Sequence, residues 1–184
     1  MAMEKSGSLM DPASERAKRG AFFFLMLFAG IIAAAWDLAR FVWGGTGIPK
    51  EADFGLGIGM GVLMLLSIAP MWAARRKLDR GDETGALGNF SALLIVSLIM
   101  LAGIVYGWRA VPIGTGYGGI FDVTSGWLGL YFVGGALALL ASVMKGKRVP
   151  QRFKDERWVA YNVLSFWGFL VTSWVIFVLI FYVA

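Results

Sequence analysis

The chain has 184 residues, 58% of them hydrophobic and only 16% charged, with a formal charge of +5 and neither His nor Cys. Soluble domains carry roughly a quarter charged residues, so a mean hydropathy of +0.70 points to lipid as the solvent. The two missing residue types exclude the usual haem ligation, iron–sulfur clusters, ordinary zinc or copper sites and Ser-His or Cys-His nucleophiles on this chain.

Residues 1–19 are polar, and the apolar run behind them is too long for the core of a cleaved signal peptide. They read as a cytoplasmic tail, in which Asp11-Pro12 with Ser14 and Glu15 either starts a short helix or stays disordered. Five apolar runs follow, each near the roughly 20 residues needed to cross a bilayer: Gly20–Trp43, Phe54–Ala74, Leu87–Trp108, Ile120–Met144 and Trp158–Ala184. The sequence therefore predicts an all-α bundle of five transmembrane helices over residues 20–184. Fourteen of the seventeen Lys and Arg fall in the tail and in the second and fourth linkers, and only Arg40, Lys50 and Arg109 lie on the other side. This positive-inside pattern places the N-terminus in the cytoplasm and Ala184 outside. The net charge is a topology signal, and no basic-aromatic interleaving points to nucleic acid.

The second run opens with overlapping GxxxG spacings, Gly55/Gly59 and Gly57/Gly61; the fourth has Gly134, Ala138 and Ser142, and the first has Ala29 and Ala33. Small residues at this spacing let helix backbones approach closely, within the bundle or against another membrane subunit. Pro70 is expected to bend the second helix. Trp127, Trp167 and Trp174 lie deep enough to need buried hydrogen-bond acceptors, for which Ser125, Thr172 and Ser173 are nearby in sequence. Charges fall only near run ends. Asp37 and Arg40 are expected to snorkel to water as an i, i+3 pair, with Arg109 and Asp122 also at the outer interface. The alternative is a headgroup or docking patch built on Arg40 and Arg109, matched on the cytoplasmic side by Arg75, Arg76, Lys147 and Arg148. Proton relays, charged-ring channels and carboxylate-coupled transport find no intramembrane residues to use.

From the second run onward the chain resembles subunit III of the haem-copper (cytochrome c) oxidases in its short five-helix form, which includes subunit III-like proteins associated with nitric oxide reductase. The resemblance runs in order through Leu65-Leu66-Ser67, Ala73-Ala74, Arg76…Arg80-Gly81-Asp82 and Gly85-Ala86-Leu87. It continues through Trp108, then Phe121…Ser125-Gly126-Trp127…Gly129-Leu130…Gly134-Gly135, and Trp167-Gly168-Phe169…Trp174. The first run matches only loosely, through Ala33-Ala34-Ala35. Where the family carries two His in this fourth run the chain has Leu128 and Tyr131; Gly168 and Val171 replace a His and an Asp, and Gly107 a Glu. The two extra N-terminal helices of the seven-helix form are replaced by the polar tail.

The resemblance implies a non-catalytic accessory subunit in a prokaryotic plasma membrane, packed against a haem-bearing, subunit I-like partner and other oxidase subunits. Haem and copper belong to those partners. This chain is expected to bind no cofactor or metal of its own; a structural phospholipid is allowed for, but the family's polar lipid contacts do not carry over. Candidate partner-facing or packing positions are Gly55, Gly57, Gly59, Gly61, Gly126, Gly129, Gly134, Trp167 and Trp174. The reading left open beside it is an assembly factor or structural subunit of another membrane redox complex, because fold alone does not choose between them.

Overall fold

The computed structural model describes residues 12–43, 48, 52–111 and 113–183, with side chains described from residue 17 onward. Residues 1–11 of the tail, most of the first linker including Lys50, and Pro112 and Ala184 lie outside the described residues. Within them the chain is helical, with no strand: α1 (Pro12–Trp43), α2 (Phe54–Leu66), α3 (Ile68–Asp79), α4 (Glu83–Ala110), α5 (Gly116–Arg148), α6 (Pro150–Asp155) and α7 (Arg157–Val178), which ends in a π-turn, Leu179–Val183. Five stretches are long and apolar enough to cross a membrane: Ala17–Trp43, Phe54–Asp79, Glu83–Ala110, Gly116–Arg148 and Arg157–Val183. The five predicted spans are present.

Their ends run further than hydropathy alone predicts, because polar capping residues start the helices outside the apolar windows. Asp53 accepts from the Leu56 amide at 2.9 Å, Asp82 from Gly85 at 2.8 Å and Thr115 from Gly118 at 2.9 Å. Between α3 and α4 the chain reverses at Gly81, whose φ of +75° suits only glycine without strain, while the Asp82 amide closes back on the Lys77 carbonyl. The segment Pro12–Arg16 and the first span form one helix. Pro at the first helical position fits its missing N–H. The second span breaks at Ser67, three residues before Pro70, yet Met71 still donates to the Ser67 carbonyl at 3.2 Å, so α2 and α3 cross as one bent unit.

The span formed by α7 is the hub: it packs on α1, α2, α3 and α5, while α4 lies against α3 and α5. Its buried face presents Trp167, Leu170, Trp174 and Phe177 to the α5 side chains Phe121, Leu128 and Phe132. By contrast α1 is a peripheral helix. One stripe of it (Ala29, Ala33, Asp37, Arg40) is buried, while Phe23, Phe24, Leu27, Phe28 and Ile31 are exposed.

Glycines set several of the closest approaches, and the two expected GxxxG pairs separate. A Cβ added at Gly57 would lie 2.6 Å from the Tyr182 ring, and one at Gly61 3.5 Å from Val178, whereas at Gly59 it would meet nothing. The Tyr182 ring is itself wedged against Phe121 and Phe177 and has no easy retreat. Gly57→Leu is therefore expected to destabilise the bundle by about 1–3 kcal/mol through overpacking, while Gly59→Leu changes it by less than about 0.5 kcal/mol. Thermal unfolding of both variants in the same detergent checks this; equal shifts would refute the assignment of faces.

Candidate functional site

Three regions carry the chain's polar chemistry: the end of the bundle away from the basic linkers, the helix interfaces, and the basic end. Among the described residues no group of three or more His, Cys, Asp or Glu is placed to hold a metal ion.

At the first of these, Asp37 and Arg40 are 4% and 1% exposed. This corrects the expectation of a snorkelling pair. The spacing Ala29, Ala33, Asp37, Arg40 keeps all four on one helical face, so the packing that buries the alanines buries the charges too. No ion pair joins the two side chains, and Asp37 Oδ1 is buried without a hydrogen-bond partner. The Arg40 guanidinium instead lies 4.6 Å from the centre of the Tyr117 ring, a cation–π contact. The Tyr117 hydroxyl donates to the Phe181 carbonyl in the π-turn at 2.5 Å, and its ring stacks on Phe121. Arg40 is thus an internal bracket between α1 and α5 and offers no surface to a lipid headgroup. Arg109 is exposed and Asp122 half-buried at the same end.

Between the helices, side-chain hydrogen bonds replace the water that lipid cannot supply. Trp167 Nε1 donates to Ser67 Oγ at 2.9 Å, tying the middle of α7 to the break between α2 and α3. Ser97 Oγ donates to the Phe132 carbonyl at 3.0 Å, linking α4 and α5. Trp127 Nε1 donates to Tyr131 Oη at 2.6 Å, and Tyr131 in turn donates to the Ala29 carbonyl of α1 at 3.2 Å. Ser125, expected beside the deep tryptophans, accepts instead from Trp108 at 2.8 Å. Trp174 Nε1 is buried without a partner. Leu128 and Val171 are core side chains, 2% and 6% exposed. Gly107 leaves room for the Phe121 ring, 3.6 Å from where its Cβ would be.

At the basic end, segments distant in sequence converge. Arg157 and Lys154 reach Glu83 at 2.6 and 4.0 Å, and Lys145 and Arg152 both bind Glu156, the latter at 3.0 Å. The Tyr161 hydroxyl donates to Asp79 at 2.5 Å, and Lys18 lies 5.6 Å from the Trp158 ring centre. Arg75, Arg76, Lys147 and Arg148 are exposed on this rim.

Of the candidate packing residues, Gly57, Gly61, Gly129, Trp167 and Trp174 are spent inside the chain's own bundle, and Gly126 is half-buried beside the Trp108 ring. Gly55, Gly59 and Gly134 are exposed. Sequence reasoning missed Gly103, Gly135 and Gly146. Added Cβ atoms there would come within 2.5 Å of Met60, 3.1 Å of Leu170 and 2.5 Å of Leu87. The available signal was the four-residue spacing of Gly103 to Gly107 and of Ser142 to Gly146.

Two outcomes follow. Tyr117→Phe keeps the ring under Arg40 and is expected to cost about 1 kcal/mol, the worth of one hydrogen bond, whereas Tyr117→Leu also loses a desolvated cation–π contact of about 2 kcal/mol. Unfolding of both variants in mixed micelles measures the difference, and equal losses would remove the bracket role of Arg40. The Lys145 and Arg152 hydrogen bonds hold the Glu156 carboxyl below its ordinary value of 4.5. A depressed carboxylate stabilises above its unfolded pKa, and that contribution is lost as pH falls through the lower folded value. The protection factors of the α6 amides, exchange rates corrected for the intrinsic pH dependence, should therefore fall as pH drops below the ordinary carboxylate value, and Glu156→Gln should remove that pH step while lowering protection at neutral pH.

No family model matches the chain. Over 161 residues, which cover 82% of this chain and 77% of the other, it is 26% identical to a protein of Nocardia farcinica (strain IFM 10152) described as "Probable cytochrome c oxidase subunit 3". With five apolar helices, that likeness points to a multi-pass membrane protein and supports an oxidase subunit III-like role.

Proposed function

We propose that the chain is a non-catalytic accessory subunit of a respiratory haem-copper oxidase complex in a prokaryotic plasma membrane. Its basic end faces the cytoplasm, and it packs against the haem-bearing subunit and steadies it. The observation that carries this reading is the likeness to a cytochrome c oxidase subunit 3 over four fifths of the chain. The ordered motifs from Leu65 to Trp174 support it.

The geometry supports a packing role. The inner faces of α5 and α7 are filled by aromatic side chains and glycine approaches, so these surfaces are consumed within the bundle. The outer face of α1 (Phe23, Phe24, Phe28, Ile31) and the Gly55/Gly59 face of α2 remain open to a partner or to lipid. The exposed Arg76, Lys147 and Arg148 would hold the cytoplasmic rim against anionic headgroups, each contributing about 1 kcal/mol near the surface. With no His or Cys in the chain, haem and copper are assigned to partner subunits.

The test is a pull-down of a tagged copy from its native membrane in mild detergent, followed by mass spectrometry and a reduced-minus-oxidised spectrum. The expected eluate holds a haem-bearing polytopic partner, with haem bands that scale with that partner. Deleting the chain should leave the initial turnover of the oxidase intact and shorten its working life. A haem-free eluate built around another membrane assembly would overturn the reading in favour of a structural subunit elsewhere.

A further inference from the structure

Six hydroxyl side chains are buried among the described residues: Ser67, Ser97, Thr124, Ser125, Ser142 and Ser173. Ser67, Ser97, Ser125 and Ser142 donate to the carbonyls of Met64, Phe132, Phe121 and Ala138. Thr124 Oγ1 is buried without a partner, and no hydrogen bond engages Ser173. Helix register brings these two to Asp37 Oδ1, the buried oxygen on α1 that also lacks a partner. Along α1 and α5, which run antiparallel, Ala29 meets Tyr131 and Arg40 meets Tyr117. Thr124 lies about two turns from either tyrosine on the same face of α5, at a height midway between Ala29 and Arg40. Asp37 leans back to that height, because a helical side chain covers the turn before it. Along α1 and α7, which run parallel, Lys18 meets Trp158 and a Cβ on Gly30 would meet Phe169. Ser173, one turn beyond Phe169 on the same face, is therefore level with Ala33 and Ala34. The α5–α7 contacts agree: Phe121 meets Phe177 and Tyr117 meets Phe181, which puts Thr124 beside Trp174 and its neighbour Ser173. Asp122, about 200° around α5 from Thr124, takes no part.

We propose that Asp37, Thr124 and Ser173 bind one monovalent metal cation of sodium size at the junction of α1, α5 and α7. The three side chains are 4%, 2% and 7% exposed. Tyr131 and Phe169 close the junction towards the basic end, and Tyr117, Phe121 and Phe177 close it towards the other. A carboxylate held there without a counter-ion is expensive, and Arg40, one turn further out, lies over the Tyr117 ring instead. Carboxylate and hydroxyl oxygens suit hard cations and offer nothing to soft ones. One carboxylate beside neutral oxygens balances one positive charge, whereas divalent ions gather several carboxylates, and the nearby Arg40 charge opposes a second one. Close packing through Gly30 and Ala33 selects the smaller ion. The bound cation would tie α1, the least buried span, to two neighbours at once. The site goes beyond the accessory-subunit reading and does not depend on it.

The experiment uses the full chain in mild detergent. Binding of radioactive sodium is measured directly, and thermal unfolding is followed as sodium chloride replaces choline chloride at constant ionic strength. One sodium per chain is expected, with an unfolding midpoint about 5 °C higher once sodium is well above its dissociation constant. Potassium should compete about tenfold more weakly, and calcium no better than potassium. Asp37→Asn should abolish sodium binding yet be no less stable than the parent in choline, because it removes a buried charge. Thr124→Val and Ser173→Ala should each weaken sodium about tenfold. Ser142→Ala, whose hydroxyl is satisfied within its own helix, should leave sodium affinity unchanged. Equal stability in choline and sodium, or sodium retained by Asp37→Asn, would overturn the proposal. So would unfolding that responds to pH and not to sodium, with the pH step lost in Asp37→Asn, for Asp37 would then hold a proton instead. Unchanged affinity in both Thr124→Val and Ser173→Ala would refute the three-helix site.

Discussion

In hydrocarbon an apolar side chain gains almost nothing by leaving lipid for another helix. The five spans must therefore be gathered by contacts close enough for dispersion and by hydrogen bonds that no water competes for. The bundle follows from that constraint. Side chains from one helix enter gaps left by glycine on another: Tyr182 against Gly57, Met60 against Gly103, Leu87 against Gly146. The Trp167–Ser67 hydrogen bond then fixes the hub helix α7 at the one place where the second span breaks. A break in a lipid-bathed helix exposes backbone groups that must be satisfied internally. The Ser67 hydroxyl serves both needs, donating to the Met64 carbonyl at 2.6 Å and accepting the indole.

The same constraint explains how α1, the helix with the most exposed apolar surface, stays attached. It touches α5 through small residues, which give limited area, and two polar contacts at different depths supplement them. Tyr131 reaches the Ala29 carbonyl, and eleven residues further along α1 the Arg40 guanidinium covers the Tyr117 ring. A charge held over an aromatic face gives up less hydration energy than one buried against alkyl groups. Both ties depend on tyrosines of α5, so the α1 interface is set by aromatic side chains whose polar tips find backbone acceptors.

How much of this the sequence disclosed follows from the range of each interaction. The five spans were legible because hydropathy is a property of a window, and the basic clustering was legible because it is a property of linkers. The faces were not. GxxxG spacing identifies two pairs on α2 and cannot say which turns inward; Gly57 and Gly61 do, because α7 ends in a π-turn that carries Tyr182 to that side. Asp37 and Arg40 read as interfacial from their depth, yet the stripe they continue from Ala29 and Ala33 already predicts their burial once it is known to be the packed one. Gly146 was passed over because it lies among basic residues and looks like linker, although α5 remains helical through Arg148.

The positions at which the chain departs from the family it resembles fit this picture. The His, Asp and Glu that the resemblance would put at Leu128, Val171 and Gly107 would be groups that lipid makes expensive to bury. Leu128 and Val171 now fill the core between α5 and α7, and Gly107 admits the Phe121 ring. Tyr131 alone keeps a polar role, as a hydrogen-bonding relay between Trp127 and α1. Apart from the Asp37 and Arg40 region, ionic chemistry has withdrawn to the two ends, where water and headgroups screen it. A bundle built this way supports a partner by shape in the membrane interior and by charge at its rim, and substitutions in the two regions should therefore disturb different functions.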